Sequence, residues 1–384
     1  MILVGAGPHG REGSNRVGRV LNQPRNHCLS PKANVLTFGP MKAAVLHGRE
    51  DVRVEDLPNP APQAGEVRVA IEAALTCGTD LKVFKRGYHA RMIVPPAVFG
   101  HEFAGRIDAV GQGVTDWQVG DRVVAANSAP CGECDFCRRA QENLCDHLNF
   151  LNGAYAESII IPRRLVQKNL LRLKPETSFA DAALVEPLAC VELGLADLRL
   201  QASDRLLVLG CGPIGLMFVA LARAAGCLVT AAGRGETRLA TARRLGARQV
   251  IEVGGPHDLI PTVIAAAEGP FDAVVEAIGQ PMSWEAAVKL VRKGGKVNFF
   301  GGCATGATVT LETSLLHYSN LTLLATFHHT PQTVRRALEH IESGLIRAAD
   351  FVNGECALDG LPALFHSMSA GNKAVKTLIR TNGK

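Results

Sequence analysis

Hydrophobic and polar residues alternate along several short stretches in the first third of the chain. Turn-forming Pro and Gly residues separate these stretches. Alternation with a period of two places every second side chain on one face of a strand, which is typical of antiparallel sheets with one buried face. The pattern predicts strands at Met41–Leu46, Val52–Val54, Glu66–Ile71, Arg106–Val110 and Asp121–Ala125.

The period changes from about Ala189 onward, where short apolar runs alternate with stretches of helical spacing such as Glu236–Leu245 and Trp284–Val291. Alternating strands and helices predict a parallel, doubly wound sheet with helices on both faces, in an α/β fold. The six predicted parallel strands are Arg205–Leu209, Leu228–Ala232, Gln249–Val253, Ala273–Glu276, Lys296–Phe300 and Leu321–Ala325.

The same pattern predicts the domain organisation. We predict a β-rich domain at residues 41–190, a parallel-sheet domain at 191–326 and a return to the first domain at 327–384, because the alternation ends after Thr326. Residues 1–40 keep neither period. We predict that Met41 is the natural start and that residues 1–40 are disordered or a start-site artefact, with an Arg-rich transit peptide as the alternative.

Composition and charge narrow the class of protein. Of the 384 residues, 47% are hydrophobic and 5% are aromatic, which suits large aliphatic cores. No run reaches about 18 uninterrupted apolar residues, so we predict no membrane span. Residues 1–40 contribute +4 of the net charge of +5, so the remainder lacks the basic excess expected of a nucleic-acid-binding protein.

A glycine-rich turn follows the first predicted parallel strand. It matches G-x-G-x-x-G between a strand and a helix, whereas the same letters at Gly5–Gly10 lack both flanks. The first glycine would form the tight turn, the second would let a pyrophosphate approach the backbone, and the third would allow close packing of the helix. We predict a dinucleotide at this helix N-terminus, bound by Gly210, Gly212, Pro213, Ile214 and Gly215.

The end of the second parallel strand indicates which dinucleotide is bound. A NAD-binding fold places Asp or Glu there, about 20 residues after the glycine loop, to bind the ribose hydroxyls. This chain has Gly233 and then Arg234, and a guanidinium suits a 2′-phosphate. We therefore favour NADP over NAD, with Arg238 as a further cofactor residue. The alternatives are that Arg234 is a solvated surface residue and that Glu236 turns back to the ribose.

Four of the eleven cysteines lie within fifteen residues, with the spacing C-x2-C-x2-C-x7-C. Four thiolates on one loop are typical of a closed, structural zinc site. An iron–sulfur cluster is the main alternative, but the bacterial cluster motif has a last gap of three residues followed by Pro. Bunched thiols without an export signal indicate a reducing compartment, so we predict a cytoplasmic protein. The four residues are Cys131, Cys134, Cys137 and Cys145.

A second set of metal-ligand residue types is spread along the chain. Cys77 follows an apolar strand, His101 and Glu102 follow the Pro95-Pro96 turn, and Glu186 precedes the parallel-sheet region. Cys, His and Glu are competent zinc ligands, and a catalytic zinc site leaves one position for water or substrate. Each residue alone has an ordinary structural explanation. Their combination beside a nucleotide fold predicts a zinc site that performs chemistry.

From Met41 to about Leu378 the chain resembles the zinc-dependent medium-chain dehydrogenase/reductase family, of the alcohol and polyol dehydrogenase kind. The resemblance implies a GroES-like β-rich catalytic domain followed by a Rossmann nucleotide-binding domain. Its Glu-Pro-Leu segment resembles the sorbitol and threonine dehydrogenase branch. The matching motifs are Cys77-Gly-Thr-Asp80, Gly100-His-Glu102, Gly120-Asp-Arg-Val123, the four-cysteine lobe, Glu186-Pro-Leu188 and the Gly210 loop.

The family resemblance also implies site roles. Cys77, His101 and Glu102 would bind the catalytic zinc, and Glu186 would be a fourth ligand or an exchanging neighbour. Zinc would lower the pKa of a secondary alcohol, and hydride would pass to NAD(P). Thr79 would accept the hydroxyl proton first.

The proton relay departs from the family pattern at one position. Much of this branch has His five residues after the Cys, and this chain has Lys82 there, which would pass the proton to solvent or bind an anionic substrate group. The expected substrate is a polyol, sugar or sugar phosphate, with no nucleic-acid or membrane partner. The expected assembly is a homodimer or homotetramer. A threonine-type dehydrogenase and a non-catalytic, crystallin-like relative are the alternatives.

The pair His328-His329 follows the last predicted parallel strand. The sequence leaves two roles open for it, lining the nicotinamide or substrate cleft and packing in the core.

Overall fold

The computed structural model describes residues 37–89, 92–255, 257–371 and 374–381. Residues 1–36 of the segment predicted to be disordered or artefactual therefore lie outside the described residues. The described residues form eighteen strands: β1 Thr37–Gly48, β2 Asp51–Pro60, β3 Val67–Leu75, β4 Ala97–Val98, β5 Glu102–Val110, β6 Arg122–Ala125, β7 Ser128–Ala129, β8 Asn149–Phe150, β9 Ser158–Ile161, β10 Leu170–Arg172, β11 Arg205–Leu209, β12 Leu228–Gly233, β13 Gln249–Glu252, β14 Phe271–Glu276, β15 Val291–Phe299, β16 Thr322–Leu324, β17 Val352–Ala357 and β18 Lys376–Arg380.

Thirteen α-helices connect these strands within the described ranges, and none of them is long and apolar enough to cross a membrane. They are α1 Gly78–Arg86, α2 Asp135–Arg138, α3 Arg163–Lys168, α4 Phe179–Ala182, α5 Val185–Leu198, α6 Pro213–Ala224, α7 Glu236–Arg244, α8 Leu259–Ala266, α9 Pro281–Leu290, α10 Thr313–Tyr318, α11 Pro331–Glu342, α12 Ala348–Phe351 and α13 Leu361–Ser369.

The β-rich part is built from two main sheets. β2, β1 and β4 form one sheet, and the larger sheet has the order β10-β6-β5-β3-β18-β17, with β9 also paired to β3. β1 begins at Thr37, so four residues of the segment predicted to be disordered or artefactual lie in a strand. β18 pairs antiparallel with β3, which brings Leu378 beside Leu75. The domain boundaries at residues 190 and 326 stay predictions.

The second part is a six-stranded sheet with the order β13-β12-β11-β14-β15-β16, and all of its pairs are parallel. This is the 3-2-1-4-5-6 order of two mononucleotide-binding halves, whose ligands bind at the carboxyl ends of the strands. The predicted fold class is confirmed. β15 is longer than predicted, because Val291 pairs with Phe271 before a register shift.

A cluster of buried aromatic rings supports the segment that carries Cys77. Phe84 on α1 packs at 5.4 Å from Phe365, and Phe99 and Tyr155 pack at 5.1 and 6.0 Å from the same ring. All four side chains are fully buried. Contacts of this kind contribute about 0.5–1.5 kcal/mol each beyond their buried area. These four rings thus pack α1 against α13 and against the segments that carry Phe99 and Tyr155.

β3 and β5 approach each other so closely that Gly105 cannot carry a side chain. A Cβ atom on Gly105 would lie 2.0 Å from Ala70 O. Because the contact is with backbone, no rotamer change relieves it. We expect Gly105→Ala to lower the free energy of unfolding by about 1–3 kcal/mol or more, measured by chemical denaturation. Gly48→Ala is the matched control, since no atom lies within 4 Å of its added Cβ. Equal stability of the two variants would contradict this prediction.

Candidate active site and metal centre

Cys77 lies where β3 gives way to α1. It is the N-cap residue of α1, with extended backbone (φ −120°, ψ 150°), and Thr79 N donates to Cys77 Sγ at 3.4 Å. Asp80 completes the cap by accepting from Cys77 N at 3.2 Å. The N-terminus of α1 thus faces the Cys77 sulfur.

His101 and Glu102 begin β5 directly beside Cys77. Glu102 pairs with Leu75 in the sheet, which sets the start of β5 against the end of β3. One ligand atom from each of Cys77, His101 and Glu102 lies within 4.8 Å of the other two. The structure therefore brings together the three residues that the sequence assigned to one metal.

Asp80 fixes the orientation of the His101 ring. Its Oδ1 lies 2.9 Å from His101 Nδ1, and its Oδ2 accepts from Tyr155 OH at 2.6 Å. A carboxylate on one ring nitrogen fixes the tautomer and leaves the other nitrogen, Nε2, to bind a metal. Burial lowers the pKa of His101, but the charges of Asp80 and Cys77 outweigh burial and raise this pKa well above its ordinary value. The site thus concentrates negative charge.

Glu102 forms a buried ion pair with Lys376 on β18. The Lys376 ammonium donates to Glu102 Oε2 and also to Thr76 O at 3.0 Å. Burial raises the pKa of Glu102, and the Lys376 charge opposes that rise. The other oxygen, Glu102 Oε1, is buried and has no hydrogen-bond partner among the described residues. An unpaired buried carboxylate oxygen beside a thiol and an imidazole fits the ligand set of a zinc ion.

Glu186 approaches the same cluster from the first turn of α5. Its Oε2 lies 4.0 Å from His101 Nε2. Burial raises the pKa of Glu186 to about 7; the His101 charge opposes this rise and the Glu102 charge adds to it. A buried carboxylate near a cation site gains most when a cation is present. The position is consistent with either role that the sequence left open for Glu186.

The two histidines after the parallel sheet meet Glu186. One ligand atom each of Glu186, His328 and His329 lies within 4.8 Å of the others. His328 Nε2 lies 2.5 Å from Ser128 Oγ, and His329 Nε2 lies 3.0 Å from Asn127 Oδ1. Burial lowers the pKa of His328 to about 3 and that of His329 well below its ordinary value. The pair is therefore neutral and stands beside the metal cluster.

Thr79 and Lys82, the two residues expected to form the proton relay, lie in different environments. Thr79 is half-buried in the first turn of α1, next to Cys77. Lys82 is exposed, and its ammonium donates to Gly302 O at 3.1 Å, in the loop after β15. Among the described contacts Lys82 thus joins the β-rich part to the parallel-sheet part.

The four cysteines form a compact sulfur cluster. Cys131 Sγ lies 3.5 Å from Cys145 Sγ, and Cys137 Sγ lies 3.5 Å from Cys134 Sγ. None of the four forms a disulfide. Backbone N–H groups donate to the sulfurs, as Cys131 N does to Cys145 Sγ at 3.2 Å. Hydrogen bonds from the backbone of Cys137 and Asp146 lower the pKa of Cys134 to about 6, whereas burial raises the pKa of Cys145 to about 12. Four sulfurs this close together suit a structural zinc site.

The glycine loop has the predicted strand–turn–helix setting. Gly210 has φ +105°, Gly212 is the N-cap of α6, and α6 begins at Pro213. A Cβ atom on Gly215 would lie 1.8 Å from Gly210 O, so α6 packs directly on the loop. The free N–H groups of this helix start are suited to a pyrophosphate.

The predicted ribose-side residues gather near the tip of β12. Arg234 lines a cavity together with Val253, Leu259, Ile278 and Gln280, among others. Arg238, on α7, donates to Ala374 O at 3.3 Å. Glu236 pairs with Arg243 at 3.0 Å along its own helix, which disfavours the alternative that it turns back to the ribose.

Two functional positions escaped the sequence analysis. Lys376 begins the segment Lys376–Ile379 beside Thr377, and a cation ahead of the apolar pair Leu378-Ile379 was the available signal. Glu276 ends β14 at the carboxyl edge of the sheet. It accepts from Gly279 N at 2.9 Å and Ser283 Oγ at 2.7 Å, which fixes the loop beside the cofactor edge.

Comparison with known proteins identifies the family. A family model described as "Alcohol dehydrogenase GroES-like domain" matches residues 63–171, and one described as "Zinc-binding dehydrogenase" matches residues 213–343. The chain is 31% identical over 351 residues to the L-threonine 3-dehydrogenase of Bacillus velezensis, covering 89% of this chain and 99% of the relative. It is 28% identical over 346 residues to the sorbitol dehydrogenase of Bacillus subtilis, covering 89% and 98%.

The chain belongs to the zinc-binding dehydrogenases.

A solved structure agrees with this assignment. It is a "putative zinc-binding dehydrogenase" from Sinorhizobium meliloti "bound to NADP", with a TM-score of 0.79 and 28% identity, covering 89% of this chain and all of that one. The family resemblance seen in the sequence is confirmed. The protein is a zinc-dependent oxidoreductase of the alcohol and polyol type that uses a nicotinamide cofactor, and the non-catalytic alternative is not supported.

Removing the carboxylate that orients His101 should weaken metal binding. We expect Asp80→Asn to lower the zinc affinity of the Cys77 cluster by about 10–100-fold, because an amide binds the ring without the charge that raises its basicity. Competition with a chelator measures the affinity, and the four-cysteine cluster should keep its own zinc. Asp56→Asn, at an exposed carboxylate, is the control. Unchanged zinc affinity in Asp80→Asn would contradict the orienting role.

Removing one partner of the buried ion pair should lower the free energy of unfolding far more than removing both partners. Lys376→Met leaves the Glu102 charge buried without its partner, so we expect a loss of about 3–5 kcal/mol in the free energy of unfolding of the chelated protein. The double variant Lys376→Met with Glu102→Gln removes both charges and should recover much of that loss. A double variant as unstable as Lys376→Met would show that Lys376 matters for packing and not for charge.

Proposed function

We propose that this enzyme interconverts a secondary alcohol of the polyol or sugar class and its ketone, with NADP as the preferred cofactor and two zinc ions per subunit. The observation that carries the proposal is the cluster of Cys77, His101 and Glu102, linked through Lys376 to the segment just before β18, which Arg238 contacts at Ala374 O. The metal-ligand cluster is thus connected, through the segment Ala374–Lys376, to α7, the helix that follows β12. The arrangement suits hydride transfer between two bound groups.

Different residues would have different roles in the reaction. Cys77, His101 and Glu102 would hold the catalytic zinc, with Glu186 beside them, and the four cysteines would hold the structural zinc. Bound zinc supplies Lewis acidity that lowers the pKa of an alcohol. Thr79, half-buried in the first turn of α1, would accept the hydroxyl proton. Lys82 holds the loop after β15 through Gly302.

The NADP preference rests on the tip of β12. An Asp or Glu there would bind the ribose hydroxyls and repel a 2′-phosphate. This chain has Gly233 instead, followed by Arg234 on the wall of the adjoining cavity. A guanidinium forms charge-assisted hydrogen bonds with phosphate. The relative from Sinorhizobium meliloti, described as bound to NADP, supports the same preference.

The polyol class is favoured over threonine by the character of the side chains near the cluster. Threonine carries a carboxylate, which needs a cationic partner inside a buried site. The Lys376 ammonium is already paired with Glu102, burial lowers the pKa of both His328 and His329, and their neighbours Ser128 and Asn127 are a hydroxyl and an amide. Neutral donors and acceptors suit the hydroxyl groups of a polyol. The sorbitol dehydrogenase relative agrees with this choice.

We also propose a homodimer or homotetramer in the cytoplasm. β16 ends the six-stranded sheet and pairs only with β15 among the described strands. An edge strand of this kind is a natural surface for pairing with a second copy.

A substrate panel tests the reaction class. Metal-replete enzyme is assayed with polyols, sugar phosphates, simple secondary alcohols and threonine, each with NAD and NADP, and zinc is counted in parallel. We expect two zinc ions per subunit and formation of reduced cofactor with a polyol or sugar substrate. Turnover of threonine alone would replace the polyol proposal, and no turnover in any class would overturn it.

Charge removal at Arg234 tests the cofactor proposal. We expect Arg234→Ala to reduce kcat/KM for NADP by about 10–100-fold, as for the loss of a charged hydrogen bond of 1.5–3 kcal/mol, with little change for NAD. Arg248→Ala is the matched control, because Arg248 pairs with Glu268 on the surface. A wild-type enzyme that strongly prefers NAD would refute the assignment of Arg234.

A further inference from the structure

A second group of metal-ligand side chains adjoins the Cys77 cluster. It consists of Glu186, His328 and His329, and one ligand atom from each lies within 4.8 Å of the other two. Glu186 is 7% exposed and His329 is 2% exposed. Two imidazoles and one carboxylate are a ligand set that holds zinc in proteins, with a further position left open. The group therefore has the composition of a metal site.

An unusual backbone conformation brings the two histidines together. Side chains of consecutive residues in extended backbone point to opposite sides. His328 instead has φ 67°, in the left-handed region that residues other than glycine rarely adopt. The rings of His328 and His329 lie 4.0 Å apart between centroids, with an angle of 31° between their planes. Such strain persists only where surrounding contacts enforce it, and it is concentrated at binding and catalytic sites.

One ring nitrogen of His329 has no partner. Its Nε2 lies 3.0 Å from Asn127 Oδ1, an amide oxygen that only accepts hydrogen bonds. Nε2 therefore carries the ring proton, and Nδ1 keeps its lone pair. Nδ1 is buried and has no hydrogen-bond partner among the described residues. Because buried acceptors are normally paired, the lone pair of Nδ1 is available to a donor or a cation that the described residues do not supply.

A polar partner fixes the orientation of each ring. Ser128 Oγ lies 2.5 Å from His328 Nε2, and Asn127 contacts His329 as described above. Ser128 and Asn127 are 1% and 2% exposed, so neither side chain can turn away to solvent. Histidines that bind a metal usually have a partner of this kind on the other ring nitrogen. The two rings are thus held as the rings of metal ligands are held.

Glu186 supplies the negative charge of the group. The described polar contacts of its carboxylate are long, at 4.0 Å from Oε2 to His101 Nε2 and 4.0 Å from Oε1 to Cys190 Sγ. A carboxylate has two oxygens and about four lone-pair positions, so it can lie between two cations. Glu186 can therefore face the Cys77 cluster with one oxygen and the two histidines with the other.

We propose that Glu186, His328 and His329 form a further binding site for a divalent transition-metal ion. Imidazole and carboxylate ligands suit zinc, and zinc is the ion used in the test. The site is additional to the Cys77 cluster and the four-cysteine cluster, and it does not depend on which alcohol the enzyme oxidises. A bound ion occupies the groups that a substrate hydroxyl would contact, and this consequence alone rests on the proposed function.

Zinc counting tests the site directly. The full chain, purified with zinc, is dialysed against rising zinc concentrations, and bound zinc is measured by elemental analysis. We expect the wild type to saturate at one zinc ion per subunit more than His328→Gln and His329→Gln over the same concentrations. His317→Gln is the matched control, because His317 is an exposed histidine on α10. Equal zinc counts in the wild type and both ligand variants would overturn the proposal.

Asn127→Ala keeps the test decisive if the ligand variants do not fold. It removes the partner of His329 Nε2 and leaves all three ligands in place. We expect it to weaken binding of the additional zinc ion by about 10–100-fold. Unchanged affinity in Asn127→Ala would overturn the proposal in that case.

Cobalt identifies the ligand atoms. Co²⁺ added to the zinc-loaded full chain should give visible absorption bands without a thiolate-to-cobalt band in the near ultraviolet, because the proposed ligands are nitrogen and oxygen. These bands should be absent in His329→Gln. A thiolate band as the only cobalt signal would show entry into a cysteine site and would overturn the proposal.

Substrate competition separates this inference from the proposed function. Excess zinc should raise KM for the alcohol without lowering kcat, because the ion and the substrate hydroxyl use the same groups. An additional zinc ion that leaves KM unchanged would support the metal site and refute the contact between the substrate and the two histidines. Turnover of threonine and not of a polyol would replace the proposed function and leave the zinc count unaffected.

Discussion

The buried ion pair between Glu102 and Lys376 is the interaction on which the site depends. It joins residues 274 positions apart, and it does so where the end of β3, the start of β5 and the start of β18 meet. Both groups are almost completely buried, so neither has solvent to stabilise its charge. The pair therefore locks the last strand of the chain against the segment that carries Cys77. Without this pair, the cluster of Cys77, His101 and Glu102 would lose its side-chain contact with β18.

Hydrogen-bond donors and the Lys376 ammonium stabilise the negative charge in this site. Asp80 receives hydrogen bonds from Cys77 N and Tyr155 OH, and Lys376 neutralises part of Glu102. Three ligand atoms remain for a cation: Cys77 Sγ, which accepts only from Thr79 N among the described hydrogen bonds, His101 Nε2 opposite Asp80, and the unpaired Glu102 Oε1. A cation is the group that relieves the remaining excess charge. The geometry of the site is thus set by residues that would not themselves touch the metal.

The sequence predicted those parts of the protein whose chemistry lies in short motifs. The spacing of short motifs was enough to predict Cys77, His101, Glu102, the four cysteines and the Gly210 loop. The six parallel strands could be predicted from hydrophobic runs between helices. Lys376 and Glu276 were missed because their roles depend on partners that only the fold brings near. The Gly302 contact of Lys82, across 220 residues, is of the same kind. Strand ends also shifted: β15 begins five residues earlier than predicted, because pairing with β14 and not hydrophobicity sets its start.

The short segment from Ala374 to Lys376 serves both halves of the enzyme. Arg238, on the helix beside the cofactor edge, donates to Ala374 O, and two residues later Lys376 reaches the metal cluster. A ligand that draws Arg238 toward its own phosphate pulls on the same backbone that positions Lys376. Thermodynamic linkage then makes the effect mutual: whatever factor the bound dinucleotide applies to metal affinity, the bound metal applies to dinucleotide affinity. The segment Ala374–Lys376 is thus the backbone path through which the two affinities would be linked.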